Sequence, residues 1–359
     1  REYANEVGYQ AISVPGVLAG MDLALEKFGG ITMADALKPA IRACDKGFRM
    51  SANLITAVAD SEARMRQFPE TAKLFMEGDD LPKSGTRGSN PHLGKMLAEI
   101  AELGVREFYE GKIADRIVKH IEENGGILSK DDLASYQARL VDPIHSICME
   151  YDVYSPPLCS AGVSLVQMCA LADEAGLDIF ERDAPKLAHG MIEMIRASWM
   201  DRYRHFGDPQ KIKVPMDTLM SDIHLGATSR EINKHIEEGT RGQALLRPMY
   251  TGGTTHISVV DAQRNMASLT LTHGPSFGSF VTIPRMGLLM NGGMSRFDPG
   301  SGLKNSVDGG KAPITNMCPT VILREDQPFM SIGASGGTRI PSSMFQVLAR
   351  RMVLEEDTE

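Results

Sequence analysis

Residues 252–261 read GGTTHISVVD, and this stretch decides the fold class because the chain changes character here. Before it, apolar residues recur mostly at helical spacing. After it, short runs alternate in polarity, and the runs 256–261 and 266–272 flank the polar loop 262–265. That arrangement predicts a β-hairpin. A helical half followed by a strand-rich half predicts an α+β fold in which helices are layered on sheets.

Further elements follow from the same patterns. The second helix is expected to begin after Thr32, whose hydroxyl is a suitable N-cap. The other predicted helices cover 17–25, 93–104, 112–124, 130–137, 161–175 and 184–204. The other predicted strands cover 149–154, 287–291, 320–323 and 329–332.

Composition narrows the function classes. The chain has 359 residues, of which 42% are hydrophobic and 23% charged, as expected of a globular protein with a sizeable core. The formal net charge of −8 argues against a nucleic-acid or membrane-surface binder, which would have a basic face. No apolar run is long enough to cross a bilayer. The five cysteines are scattered and no zinc-ligand spacing occurs, which argues against a zinc site. Neither a metal nor an organic cofactor is expected.

The glycine pair before Thr254 has two interpretations. The first is an ordinary loop that leads into a strand. The second is a self-cleavage site, in which Gly252 and Gly253 permit a strained or positive φ beside the scissile bond. Cleavage would free the α-amino group of Thr254. With an ordinary pKa of about 8, this group is suited to act as base for the residue's own hydroxyl.

A second glycine-rich segment, GASGGT at 333–338, follows a predicted strand. Consecutive glycines can expose backbone N–H groups that hold an oxyanion, although a tight strand-to-helix turn explains the same residues. Neither a phosphate-binding loop nor a dinucleotide fingerprint is present. His256 and His273 are placed on strands, where a lone histidine is more often structural than catalytic.

Seven segments in this order resemble the γ-glutamyltransferase family of N-terminal nucleophile hydrolases. They are VPGVLAG (14–20), FYEGKIA (108–114), GGILSKDDL (125–133), YSPP (154–157), DRY (201–203) followed by GDP (207–209), TTHISVVD (254–261) and SGGTRI (335–340). Each segment is weak evidence alone, whereas their order and spacing together are specific.

The resemblance implies a four-layer αββα sandwich made from a proenzyme that cleaves itself between Gly253 and Thr254. A mostly helical large subunit (1–253) and a strand-rich small subunit (254–359) would form one intertwined domain and a heterodimer, with a higher oligomer left open. Thr254 would be the nucleophile and Thr272 the second threonine that hydrogen-bonds to its amino group. The amides of Gly336 and Gly337 would form the oxyanion hole.

The residues matching the family's substrate pocket depart from its pattern. Gly274 replaces an asparagine, and Arg296 replaces the acidic residue that binds the substrate's α-amino group. Thr315 and Asn316 replace two serines that bind the α-carboxylate, and Arg1 is the match for the carboxylate-binding arginine. These changes predict an acyl group with a terminal carboxylate and no α-amino group.

The resemblance therefore implies a threonine amidohydrolase or acyltransferase that cleaves a γ-glutamyl or related acyl amide, such as a glutathione-like molecule. One alternative is an acylase for glutaryl-, cephalosporin- or oxamate-type amides that does not transfer γ-glutamyl groups. A second is an uncleaved, catalytically silent relative that binds a ligand or serves as a scaffold. Relative to the family, an opening segment and several closing strands are expected to be missing. The compartment stays open.

Overall fold

The computed structural model describes residues 4–148, 150–177, 184–244 and 252–353, and the chain divides into two compact units. The first unit comprises Arg1–Leu140 and His273–Ser295, and the second comprises Val141–Thr272 and Arg296–Glu359. Each unit therefore contains residues from both sides of the predicted cleavage site. The subunit boundary itself stays a prediction.

The helices and strands of the described residues are listed here in chain order. The helices are α1 (Val17–Phe28), α2 (Met33–Lys46), α3 (Ala52–Asp60), α4 (Glu62–Met65), α5 (Pro69–Phe75), α6 (Pro91–Leu103), α7 (Arg106–Glu110), α8 (Lys112–Glu123), α9 (Lys130–Ser135), α10 (Gly162–Glu174), α11 (Ala184–His205), α12 (Met216–Leu219), α13 (Asp222–Glu238) and α14 (Ile340–Val353). The strands are β1 (Phe48–Arg49), β2 (Arg87–Gly88), β3 (Ile144–Cys148), β4 (Tyr151–Ser155), β5 (Thr254–Val260), β6 (Met266–Thr272), β7 (Thr282–Ile283), β8 (Leu288–Leu289), β9 (Thr320–Arg324) and β10 (Gln327–Ile332).

The first unit is mainly helical. Helix α2 begins as predicted, because the backbone N–H of Asp35 donates to the hydroxyl of Thr32 at 3.1 Å. Helix α8 buries an apolar stripe at helical spacing, formed by Ile113, Ile117 and Ile121. This stripe belongs to a core that also includes Val281 and other residues of the segment 273–295.

The second unit is built on an antiparallel sheet with strand order β10-β9-β4-β3. Helix α10 packs against β3 and β4, and α11, α13 and α14 pack against α10. Cys148, Cys169 and Cys318 are buried in this core. All five cysteines are free thiols, and these three fit their interpretation as small buried hydrophobes.

The predicted hairpin is confirmed. Strands β5 and β6 pair antiparallel, and Thr254 lies opposite Thr272. The hydroxyl of Ser258 donates to the carbonyl oxygen of Ser331 at 3.0 Å, and that of Ser268 donates to the carbonyl oxygen of Ile332 at 3.1 Å. These bonds hold the hairpin on β10, the strand that leads into the segment 333–338.

Some expectations need correction. The segment 287–291 forms only the two-residue strand β8, which pairs with the equally short strand β7, and the side chain of Asn291 hydrogen-bonds to Ser13. His273 lies one residue beyond the end of β6 rather than on a strand. Within the described ranges, no helix combines the length and apolarity needed to cross a membrane.

Candidate active site

The hydroxyls of Thr254 and Thr272 and the carbonyl group of Gly253 lie together where the hairpin begins. The Thr254 hydroxyl donates a hydrogen bond to the Thr272 hydroxyl, with 3.2 Å between the Oγ1 atoms. The Thr272 hydroxyl in turn donates to the carbonyl oxygen of Gly253 at 3.4 Å. Antiparallel pairing causes this contact, because the first residue of β5 lies opposite the last residue of β6. The carbonyl in question belongs to the peptide bond that is predicted to break.

Of the two glycines before Thr254, Gly253 is not among the described glycines with positive φ. Strain in this glycine pair, and its role in cleavage, stay predictions.

His256 lies two residues after Thr254, on the same face of the hairpin. Its Nδ1 is 2.9 Å from the Thr270 hydroxyl, and its Nε2 is 2.9 Å from the Ser258 hydroxyl. Burial lowers the pKa of the ring. Both ring nitrogens are thus occupied by strand hydroxyls, which favours the structural interpretation of this histidine.

The segment 333–338 connects β10 to α14 through a short 3₁₀ turn, Gly337–Arg339. Gly336 has φ of 127° and Gly337 has φ of 65°, both in the region that L side chains rarely adopt. Within the described residues, neither amide donates a hydrogen bond. Both N–H groups are therefore available to an acceptor from outside the chain.

The predicted substrate residues fall in different places. Arg1 lies outside the described residues. Gly274 belongs to the first unit, where it has φ of 90° and a Cβ would lie 3.0 Å from the carbonyl oxygen of Gly292. An asparagine would be strained in this backbone. Arg296, Thr315 and Asn316 belong to the second unit.

A cavity of about 130 Å³ in the second unit brings Arg296 and Asn316 together. Thr315 does not line it. The cavity wall also includes two residues that the sequence did not assign to a substrate pocket, Asp298 and Thr338. Its walls are formed by Trp199, Arg202, Tyr203, Phe206, Arg296, Asp298, Pro299, Asn305, Ile314, Asn316 and Thr338.

Arg202 is the most unusual side chain in this cavity, because it carries a charge and is only 1% exposed. Its Nη2 donates to the carbonyl oxygen of Thr315 at 2.6 Å and to Oδ1 of Asn316 at 3.1 Å. Burial lowers its pKa to about 10, so the guanidinium stays charged at neutral pH. Arg202 therefore fixes the segment that carries two of the predicted substrate residues.

Comparison with known proteins identifies the family. The model of the family described as gamma-glutamyltranspeptidase matches residues 1–359. The chain belongs to the gamma-glutamyltranspeptidase family. It is 30% identical to the acylase ACY 1 proenzyme of Pseudomonas sp. (strain SE83), over 100% of this chain and 65% of that protein. It is also 30% identical to the glutathione hydrolase proenzyme of Escherichia coli (strain K12), over 94% of this chain and 61% of that protein.

Two solved structures are similar to this gamma-glutamyltranspeptidase family member. The cephalosporin acylase from Bacillus halodurans matches with a TM-score of 0.88 and 22% identity, covering 100% of this chain and 66% of that one. The gamma-glutamyltranspeptidase of Helicobacter pylori matches with a TM-score of 0.61 and 28% identity, covering 68% of this chain and 69% of that one. The first likeness shows the fold alone. The chain spans slightly less than two thirds of the length of the curated relatives named above.

Sequence reasoning missed the roles of Arg202, Asp298 and Thr338 in the cavity. The sequence presents Arg202 only as part of the DRY segment, and Thr338 only as part of GASGGT and SGGTRI. Neither segment reveals that α11 brings Arg202 to Asn316, which is 114 positions away along the chain. The usable signal was the DRY segment itself, which marks Arg202 as one of the residues that carry the family resemblance.

Proposed function

We propose that this family member is a self-processing threonine amidohydrolase or acyltransferase with Thr254 as its nucleophile. The observation that carries the proposal is the chain of hydrogen bonds from Thr254 through Thr272 to the carbonyl oxygen of Gly253. It places the hydroxyl that would attack next to a donor for the carbonyl that would be attacked. The names of the two relatives as proenzymes support self-processing as well.

In the first stage, Oγ1 of Thr254 attacks the carbonyl carbon of Gly253. The peptide bond between them breaks, its nitrogen takes up a proton and becomes the α-amino group of Thr254, and an ester joins the two residues. Water then cleaves the ester. The Thr272 hydroxyl stabilises the charge that develops on the Gly253 oxygen.

In the second stage, the α-amino group takes the proton of the Thr254 hydroxyl, which attacks the substrate amide. The amine leaves with a proton, and an acyl-enzyme remains. Water or an acceptor amine then releases the acyl group. The amides of Gly336 and Gly337 hold the oxyanion in both steps, and their lack of internal acceptors supports this role.

For the mature protein, we propose a heterodimer of the two cleaved parts and the four-layer αββα sandwich of the N-terminal nucleophile hydrolases. Helices packed on the sheet β10-β9-β4-β3, and the hairpin held on β10 through Ser258 and Ser268, support this architecture. The proposal assigns no cofactor or metal to the reaction.

The preferred acyl group is proposed to end in a carboxylate and to lack an α-amino group, as glutaryl and oxamate-type chains do. Arg296 and Arg202 line one cavity, and both attract anions. At about 4 Å and an effective dielectric constant near 20, each unit-charge interaction is worth about 4 kcal/mol. Two guanidinium groups therefore discriminate strongly against an ammonium group at the same place.

One observation favours a second candidate, the hydrolysis or transfer of a γ-glutamyl group. The carboxylate of Asp298 lies in the same cavity as the two arginines. It is a possible partner for an α-ammonium group, two residues beyond the position where the family has its acidic residue. The two candidates thus differ in whether turnover requires Asp298.

The first test is the denatured mass of the full chain after incubation at neutral pH, beside a Thr254→Ala control. We expect two fragments that meet at Gly253–Thr254 and are absent from the control. A single uncut species in both samples would contradict the enzyme proposal and favour a silent, ligand-binding relative.

The second test compares glutaryl and γ-glutamyl p-nitroanilides. We expect the glutaryl substrate to be preferred and Arg296→Asp to shift the ratio toward γ-glutamyl. Asp298→Asn should not lower glutaryl turnover, because a carboxylate repels rather than binds the negatively charged acyl chain. Loss of a γ-glutamyl activity on Asp298→Asn would favour the second candidate. An unchanged ratio in Arg296→Asp would contradict the acyl assignment.

A further inference from the structure

The cavity in the second unit contains a buried cation whose hydrogen-bonding capacity is only partly used. Nη1 of Arg202 is buried and has no hydrogen-bond partner within the described residues. The guanidinium carbon lies 5.5 Å from the centre of the Trp199 ring and 6.0 Å from that of Phe206. These rings stabilise the charge but cannot accept an N–H in the plane of the guanidinium. Nη1 therefore has no acceptor among the described residues and can donate to a group from outside the chain.

A second unused donor belongs to another residue of the cavity wall. The hydroxyl of Thr338 is buried and has no partner within the described residues, and Thr338 follows Gly337 directly. Buried polar groups almost always have a partner, so two unpartnered donors around one cavity call for an explanation. Both would be satisfied by one group that accepts several hydrogen bonds.

The charges around the cavity specify which group this is. Its ionisable residues are Arg202, Arg296, Asp298 and Tyr203, so cationic groups outnumber carboxylates. Burying a charge without a counterion is costly, and a ligand with a negative charge removes that cost. A carboxylate accepts several hydrogen bonds and matches the planar guanidinium. The cavity is also several times larger than the 10–15 Å³, roughly, that one water requires.

We propose that Nη1 of Arg202 and the hydroxyl of Thr338 form the anchor for the terminal carboxylate of the acyl group. This inference deepens the proposed function and rests on it for the assignment of the acyl chain. The anchor begins one residue after the proposed oxyanion donor Gly337. An acyl chain held at both ends, by its carboxylate and by its reacting carbonyl, would have its length selected by this site.

The test is calorimetric titration of the full chain with glutarate, which has no scissile bond and therefore reports on the anchor whether or not the chain is active. We expect glutarate to bind and the neutral analogue glutaramide to bind at least tenfold more weakly. Thr338→Val should weaken glutarate binding about tenfold or more, since it removes a hydrogen bond to a charged group.

The control is Ser229→Ala, which also removes a buried, unpartnered hydroxyl but lies outside the cavity. It should bind glutarate like the unaltered protein. Arg202→Lys keeps a positive charge but loses the planar donor pair, and should weaken binding further than Thr338→Val. If Arg202→Lys does not fold, Thr338→Val with its control still decides the question.

Equal binding of glutarate and glutaramide would overturn the proposal, and so would glutarate binding that Thr338→Val leaves unchanged. Sulfate binding as tight as glutarate would also overturn it, because the site would then hold any small anion. If the chain does not cleave itself but glutarate binds as expected, the proposed reaction fails while the anchor stands. Cleavage and turnover without glutarate binding would refute the anchor alone.

Discussion

Replacing Thr272 by valine removes a hydroxyl that links the proposed nucleophile to the scissile carbonyl. Valine keeps the branched shape of threonine and is favoured in strands, so β6 should be preserved. The substitution eliminates the acceptor for the Thr254 hydroxyl and the donor to the Gly253 oxygen. The variant should therefore slow cleavage while the hairpin still folds.

Thr272→Val should cost little free energy in the folded protein and much more in the transition state of cleavage. At 3.2 Å and 3.4 Å, both hydrogen bonds are long for their type, so their loss should lower the free energy of unfolding by only about 1 kcal/mol. In the transition state the Gly253 oxygen becomes negative. A donor aimed at such an oxyanion is worth about 2.7–4 kcal/mol, which corresponds to about a 100- to 1,000-fold slower cleavage.

The assay follows the intact mass of freshly purified precursor over time and compares Thr272→Val with Thr270→Val. Thr270 lies on the same face of the same strand, and its hydroxyl bonds to His256, two residues away from the nucleophile. We expect Thr270→Val to cleave within about threefold of the unaltered rate, since its hydroxyl is remote from the oxyanion. Equal rates for the two variants would refute the reasoning.

Three further predictions concern stability. Ile117→Ala should lower the free energy of unfolding in urea by about 2–5 kcal/mol, because this α8 side chain is fully buried; an exposed-site change such as Ile223→Ala should cost far less. Thr32→Ala should cost about 1 kcal/mol through loss of the α2 N-cap, and Thr32→Ser should restore most of it. Burial lowers the pKa of His273 from its ordinary 6.5, so above that pH both states hold the neutral ring. Below it the unfolded chain takes up the proton first, and the melting temperature should fall as the pH falls, less so in His273→Asn.

Local patterns predicted the elements that local physics determines. The alternation in 254–260 and 266–272 and the polar loop between them require no distant contact, and the hairpin is as expected. The start of α2 at Thr32 is equally local. The segment 287–291 has the composition of a strand, but only Leu288 and Leu289 pair, because their partner strand β7 is equally short. The side chain of Asn291 bonds to Ser13, a contact 278 positions away that no window of sequence contains.

The candidate site likewise has one part that local sequence predicts and one part that depends on distant contacts. Thr254 and Thr272 are brought together by hairpin register, which their separation along the chain predicts. Arg202 reaches Thr315 and Asn316 only because α11 packs in the second unit, 113 and 114 positions away. The resemblance to a family identified Arg296, Thr315 and Asn316 as substrate residues, whereas Arg202 was only part of a matching segment and had no role assigned. Burial of its charge became visible only in three dimensions.

The unused donors around Arg202 make stability and binding oppose each other. A buried hydroxyl without a partner destabilises the folded protein, so Thr338→Val should raise the melting temperature of the ligand-free chain. Glutarate should stabilise this variant less than the unaltered protein. A ligand at about 100 times its Kd stabilises the folded state by about 2.7 kcal/mol, and weaker binding makes this stabilisation smaller. A purely structural threonine would lose stability in both conditions. Opposite signs in the two conditions would therefore indicate a site kept for binding at the expense of stability.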